Sequence, residues 1–437
     1  MVRVAAAPRR FVWPVVLTLA IACSGPPPGV TELDVILFGS DVYDAASAVV
    51  ADAGGWMVGG ASSGTIAGEQ ALGIAGFVAA FDARGAERWS AVVANTGLDL
   101  VEAVGWSEGV RWAAGGTWGT LPGQVANGPN DGTLASKDGF VVRLDEAGAP
   151  ICLRQFGSDV QDDVWGLAVL PDGGVVVVGA TYGTLPGTTS QGGRDAFAVR
   201  VDGACEPVWA RQFGGPGDDA ARAVAVLDGV LAIAGVVRPG APFGEAIAEE
   251  GPFASVWTLA GELVWGVRLG GPGYGTAMGV AIEPSSGDLF VGGWTEGEVV
   301  PGAALGQRDG FVARLAPGGA LRWARHVGSA DDDGFYALAL LPDGSVAVAG
   351  DSYGAVVAGA HAGDVDAVVV ALSASGAHRW AWQGGGAGGD GAVGLAVDGE
   401  GRVAVVGYVE DGLGSVPSLG GVEPFDAFLV VLRPPAY

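Results

Sequence analysis

The stretch that decides the fold runs from Arg154 to Trp209. It reads Arg-Gln-Phe-Gly (154–157), Asp162, an apolar run ending Leu-Pro-Asp-Gly (170–173), and Val175 to Gly179. A Gly/Thr-rich loop follows, then Asp-Ala-Phe-Ala-Val-Arg-Val (195–201), a turn, and Trp209. The same succession recurs about seven times along the chain. Aligned on the tryptophan, the units fall at Trp89, Cys152 (a substitution), Trp209, Trp265, Trp323 and Trp380, at intervals of 63, 57, 56, 58 and 57 residues. Periods of this length mark a propeller or related array.

Each unit holds four strand-like runs, the content of one propeller blade. Helical periodicity is absent, and 79 glycines in 437 residues fit short strands joined by tight turns. The first run is small and aliphatic, as suits the crowded axis. The second ends in glycine (Gly59-Gly60, Gly115-Gly116, Gly179, Gly235, Gly292-Gly293, Gly350, Gly407), which points to close backbone approach or a bulge. The third opens near a phenylalanine, and the fourth carries the tryptophan, a group large enough to fill the wedge between outer strands. The last unit ends at Tyr437 without a fourth run, whereas Glu32 to Gly39 reads like one. The expected fold is therefore all-β: a seven-bladed β-propeller of four-stranded antiparallel blades over 31–437, closed by the N-terminal strand. Closure also removes two exposed strand edges.

Hydrophobic residues make up 49% of the chain and charged ones 16%, but the apolar runs of the body are far too short to span a bilayer. The N-terminus is different. Arg3, Arg9 and Arg10 precede an apolar segment from Phe11 to Ala22, followed by Cys23. This resembles a bacterial lipoprotein signal, with Ala20 where leucine is usual. The resemblance implies cleavage after residue 22, lipid attachment at Cys23 and a short tether over 23–30. It further implies a place on the bacterial outer membrane, facing periplasm or cell surface. Removing residues 1–22, with three arginines and no acids, takes the net charge from −26 to −29. Such a charge disfavours nucleic acid and anionic lipid as partners. The remaining cysteines, Cys152 and Cys205, sit in neighbouring units. A blade's separation should exceed the ~7 Å limit between Cα atoms, so no disulfide is expected.

With its Phe213-Gly214-Gly215, Asp219 and Asp195-Ala196-Phe197, the unit resembles the SBBP repeat of bacterial β-propeller proteins. That resemblance covers nearly all of 31–437 and implies an envelope or secreted protein without a defined activity. The turns 144–148 and 372–380 also resemble the tryptophan-docking motif of quinoprotein-like propellers, a group that includes outer-membrane assembly scaffolds.

Two sets of carboxylates recur in register. Asp44, Asp99, Asp162, Asp219, Asp333 and Asp390 lie in the loops entering the first strands, with Gly275 in the fifth unit; Asp138, Asp195, Asp309, Asp366 and Asp426 precede the third. In a meander both sets share one face with the longest loops. The simpler reading makes each a turn residue bonding backbone N–H groups. The functional alternative is an acidic loop face attracting cations, with Ca²⁺ the ion such oxygens would suit. No EF-hand loop, nucleophile elbow or phosphate loop is present, and no cofactor or catalytic residue is assigned. His326, His361 and His378 fall at inequivalent positions and read as surface or strand residues. The expectation is a monomeric, lipid-anchored binding or scaffolding module whose partner is an envelope protein or polysaccharide. The competing class is a glycoside hydrolase or lyase acting at the loop face.

Overall fold

The apolar runs become strands because each is flanked by turn residues and buried on both faces. In the repeat at 162–213 the strands are Asp162–Val169, Val175–Thr181, Asp195–Val201 and Pro207–Phe213, paired antiparallel in that order. A computed structural model describes residues 30–38, 43–128, 137–244, 247–410, 412–413, 416–417 and 425–435. Cys23 and the segment 1–29 lie outside the described residues. Among these residues there is no helix, and seven four-stranded sheets form the blades: 44–94, 99–156, 162–213, 220–268, 275–327, 333–384, and 391–433 with Thr31–Phe38. We number them 1 to 7. The second and third strands are buried along nearly their whole length, since each sheet packs against a neighbour on either side.

The ring closes as the sequence predicts. Thr31–Phe38 pairs antiparallel with Asp426–Arg433, from Thr31 opposite Arg433 to Phe38 opposite Ala427. Glu32 also accepts the indole N–H of Trp382 from blade 6 at 2.7 Å. On the inner side, Gly394 of blade 7 abuts the backbone of Ala48 in blade 1.

Every first strand carries a β-bulge at the same place. The pairing skips Ser47, Glu102, Trp165, Arg222, Met278, Tyr336 and Val393. The glycine closing the second strand is its counterpart. A Cβ at Gly60, Gly115, Gly179, Gly235, Gly293, Gly350 or Gly407 would land on a first-strand carbonyl: that of Ala45, Leu100, Asp163, Ala220, Thr276, Gly334 or Gly391. The glycine makes room for the carbonyl that the bulge pushes inward.

The tryptophans do more than fill a wedge. Trp209 donates its indole N–H to the Leu259 carbonyl of the next blade (3.0 Å), Trp265 to Pro317 (2.6 Å), and Trp323 to Ala374 (3.0 Å). Each packs on the glycine of the next blade's outer turn: Trp89 on Gly148, Trp209 on Gly261, Trp265 on Gly319 and Trp323 on Gly376. These glycines have φ between 77° and 84°.

The cysteines overturn the expectation of two separated thiols. Cys152 and Cys205 form a disulfide, with Cα atoms 5.9 Å apart. The distance argument failed because a fourth strand lies against the outer turn of the following blade, not a blade's width from it. Cys152 occupies the tryptophan position, and Cys205 occupies the turn glycine's position with φ 66°. The bond replaces a tryptophan–glycine contact in register.

Candidate functional site

The two carboxylate sets meet at the loop end of each blade. Asp162 and Asp195 both pair in register with Thr181, which lies between them on the second strand. Asp99, Thr117 and Asp138 repeat the arrangement, as do Asp333, Ser352 and Asp366. All eleven predicted aspartates are buried, Asp426 being the most exposed at 5%. They do not form an acidic mouth open to solvent, which corrects that alternative. A first-strand aspartate accepts backbone N–H groups from the turn before it: Ser158 to Asp162 (2.6 Å), Gly215 to Asp219 (2.6 Å), Ser329 to Asp333 (2.7 Å), Gly386 to Asp390 (2.5 Å) and Thr96 to Asp99 (2.5 Å). The Asp44 backbone N–H donates to the Phe425 carbonyl at 3.1 Å, joining blades 1 and 7.

A third partner escaped the sequence reading. Three residues after the tryptophan position, the fourth strand presents Gln155, Gln212, His326 or Gln383. Each binds the second aspartate of its blade: Asp138 at 2.7 Å, Asp195 at 2.7 Å, Asp309 at 2.9 Å and Asp366 at 2.8 Å. The glutamines also clamp the long loop, for example Gln212 to the Gly183 carbonyl and the Leu185 N–H. His326 accepts the Val299 N–H on Nε2 (3.1 Å), so its Nδ1 carries the proton given to Asp309. The signal for this partner was present in the sequence as a polar residue three places after the tryptophan position in five of the six units, Val92 being the exception.

Buried carboxylates this close perturb one another. A Cβ at Gly157 would lie 2.5 Å from both Asp138 Oδ1 and Asp162 Oδ2. Burial pushes Asp162 up to about 7, and Asp138 adds to the rise against hydrogen bonds from Thr181 and Ser158. Burial likewise raises Asp333 to about 6. At Asp309 burial acts upward, but the His326 bond and the N–H groups of Leu305 and Gly306 outweigh it, and the net shift is downward. Among the described residues, no three His, Cys, Asp or Glu side chains are grouped to hold a metal ion. This polar frame repeats from blade to blade and organises turns.

The bulge residues are the opposite case. Ser47, Glu102, Trp165, Arg222, Met278, Tyr336 and Val393 differ in every blade, and each is half-buried directly after a fully buried residue. A bulge leaves its residue unpaired, here on the inner strand through which neighbouring blades meet, in its loop-face half. Charged and aromatic loop residues surround them. Lys137 binds Asp163 (2.9 Å) and lies over Trp118 (4.6 Å); the Tyr336 hydroxyl donates to Asp351 (2.9 Å); Tyr274 packs edge-on to Trp294 (5.3 Å). Arg222 stacks on Trp165 with its guanidinium carbon 3.7 Å from the ring centroid. Burial raises Glu102, with Asp163 adding and with Lys137 and Arg222 opposing, so charged groups of blades 2, 3 and 4 lie close enough to act on it. Nearby, on the same face, a depression of about 300 Å³ is bounded by Gln307, Ala330, Asp331, Asp332 and Tyr353.

Comparisons with known proteins agree with this architecture. No family model matches the chain, and no curated protein does. Among solved structures, the chain is similar to the Neurospora crassa Pan2 WD40 domain, at 11% identity and TM-score 0.51, over 93% of this chain and 96% of that one. It is equally similar to the WD40 β-propeller domain of Doa1, at 10% identity and TM-score 0.51, over 93% and 97%. Identities this low carry the fold alone, and the fold they carry is the β-propeller.

Proposed function

We propose that this protein is a lipid-anchored binding or scaffolding module of the bacterial outer membrane, and that it engages an envelope protein at the loop-face mouth of its channel. The observation that supports this is the ring of bulge residues. The frame repeats in nearly every blade, while the seven unpaired bulge residues on the inner strands are all different, as a recognition surface requires and packing does not. The exposed rings of Tyr182 and Tyr353, 48% and 50% accessible, extend that surface outward. The anchor rests on the basic and apolar segment ahead of Cys23.

Site-specific photo-crosslinking in the native envelope tests the reading. Benzoylphenylalanine in place of Tyr182 or Tyr353 should trap a discrete partner. The same group in place of Val264, exposed on an outer strand, should not. Trapping only from position 264 would overturn the proposal.

A further inference from the structure

Three cations on the loop face are already satisfied. Lys137 pairs with Asp163 at 2.9 Å, Arg238 with Glu250 at 2.6 Å and Arg308 with Asp351 at 3.6 Å. Arg194 and Arg222 are not. What sets them apart is that, among the described residues, neither guanidinium has an ion pair; the Nε of each is buried without a hydrogen-bond partner, as is that of Arg308. Both nevertheless converge on one indole: Arg222 lies 3.7 Å and Arg194 5.4 Å from the Trp165 centroid, and Arg194 also lies 5.6 Å from Tyr182. The carboxylates that Arg222 senses are Glu102 and Asp163. Asp163 is engaged by Lys137, and Glu102 lies beyond ion-pair distance. Two like charges held on one ring repel each other unless an anion joins them.

We infer that Arg194 and Arg222, held against Trp165 at the channel mouth, form the docking point for a carboxylate of the partner polypeptide. Planar guanidinium forks match a carboxylate in two hydrogen bonds and are less strongly hydrated than an ammonium group. A phosphate would fit the forks as well, but its second charge would meet Glu102 and Asp163. The aromatic faces of Trp165 and Tyr182 supply the apolar flank for the chain bearing the carboxylate. Burial, with Arg194 adding, lowers Arg222 to about 10, so both groups remain cationic at neutral pH. This inference rests on the reading of the mouth as the binding surface and names the chemistry it would recognise.

The test uses the purified full chain and a rhodamine-labelled, amidated Gly-rich peptide carrying a single Glu, with its Gln counterpart as control, followed by fluorescence anisotropy at about 0.15 M salt, where repulsion from the acidic chain is screened. The Glu peptide should bind and the Gln peptide should not. Arg222→Gln and Arg194→Gln should each weaken binding at least tenfold, whereas Arg379→Gln, at an ion pair with Asp343, should stay within twofold. No binding by the wild type, equal binding of the Gln peptide, or unchanged affinity in both variants would overturn the inference. So would displacement by inorganic phosphate at lower concentration than by acetate. Should Arg222→Gln fail to fold, Arg194→Gln decides alone. Crosslinks from positions 182 and 353 that persist in both variants would retain the binding mouth while rejecting its carboxylate clamp.

Discussion

Trp209 of blade 3 rests on Gly261 of blade 4. The indole donates to Leu259 at 3.0 Å, Arg211 reaches the Gly261 carbonyl at 2.8 Å, and the glycine has φ 77°. The contact joins two sheets whose strands do not pair, on the side opposite the Asp219 N–H to Arg194 carbonyl bond, so the turn side of the ring depends on such docking. Gly261→Ala should cost the left-handed backbone penalty, about 1 kcal/mol, plus displacement of the indole, since its Cβ would lie 3.1 Å from the Trp209 ring. Gly344→Ala isolates the first contribution, because Gly344 has φ 78° and nothing within 4 Å of the added methyl. Urea unfolding should therefore show Gly261→Ala clearly less stable than Gly344→Ala; equal losses would show that the docking contributes little.

The cysteine pair obeys the same geometry with a covalent bond. It closes a loop of 53 residues, for which chain entropy gives about 4 kcal/mol. The double variant Cys152→Ser, Cys205→Ser should melt lower than the oxidised protein and become indifferent to reductant. Because the pair replaces a tryptophan–glycine contact, Cys152→Trp with Cys205→Gly should recover part of that loss, as read by melting temperature under reducing conditions.

Deleting residues 31–38 strips the last blade of its outer strand and exposes the edge of Asp426–Arg433. The shortened protein should aggregate or elute as a mixture in size-exclusion chromatography. A monodisperse product with an unchanged melting temperature would show that the ring is held without this strand.

Stability should rise as pH falls from 8 toward 5. Asp162 and Asp333 have folded values of about 7 and 6, above the ordinary aspartate value of 3.8. Between 3.8 and those values the folded state binds more protons than the unfolded chain, so their contribution is fully present below 3.8 and is lost as pH climbs through 6 and 7. For Asp162 the span corresponds to about 4 kcal/mol at most. Asp309, shifted downward, acts oppositely, and its contribution is lost only at strongly acidic pH. Asp162→Asn, which mimics the protonated acid, should flatten the slope between pH 5 and 8 in thermal melts.

The periodicity from Trp89 to Trp380 made the blades legible, as did the missing fourth strand at the C-terminus and the glycine closing each second strand. Orientation was harder to read. Asp162 and Asp195 sit beside loops in the sequence, yet their side chains face inward, because Ser158, Thr181 and Gln212 offer hydrogen bonds there. The bulges could not be read from one strand. A skipped residue such as Trp165 is defined only by its partner's register, although Gly179 opposite was its trace. The cysteine pairing was legible in principle: Cys205 stands where Gly148, Gly261, Gly319 and Gly376 stand in other turns, four residues before the tryptophan position. That alignment places it under Cys152.

The direction of the closing strand has a consequence for how the molecule is presented. Thr31 pairs with Arg433, so the chain enters the ring at the narrow-turn face and runs toward the loop face at Phe38. Anything tethered ahead of Thr31 therefore hangs from the side opposite the bulge ring. Eight residues from Cys23 to Val30 reach at most about 29 Å when fully extended. On the lipid attachment at Cys23 proposed above, the turn face is the one tied toward the bilayer, and the bulge strands with Trp165, Arg222 and Tyr336 have their loop-face ends on the far side.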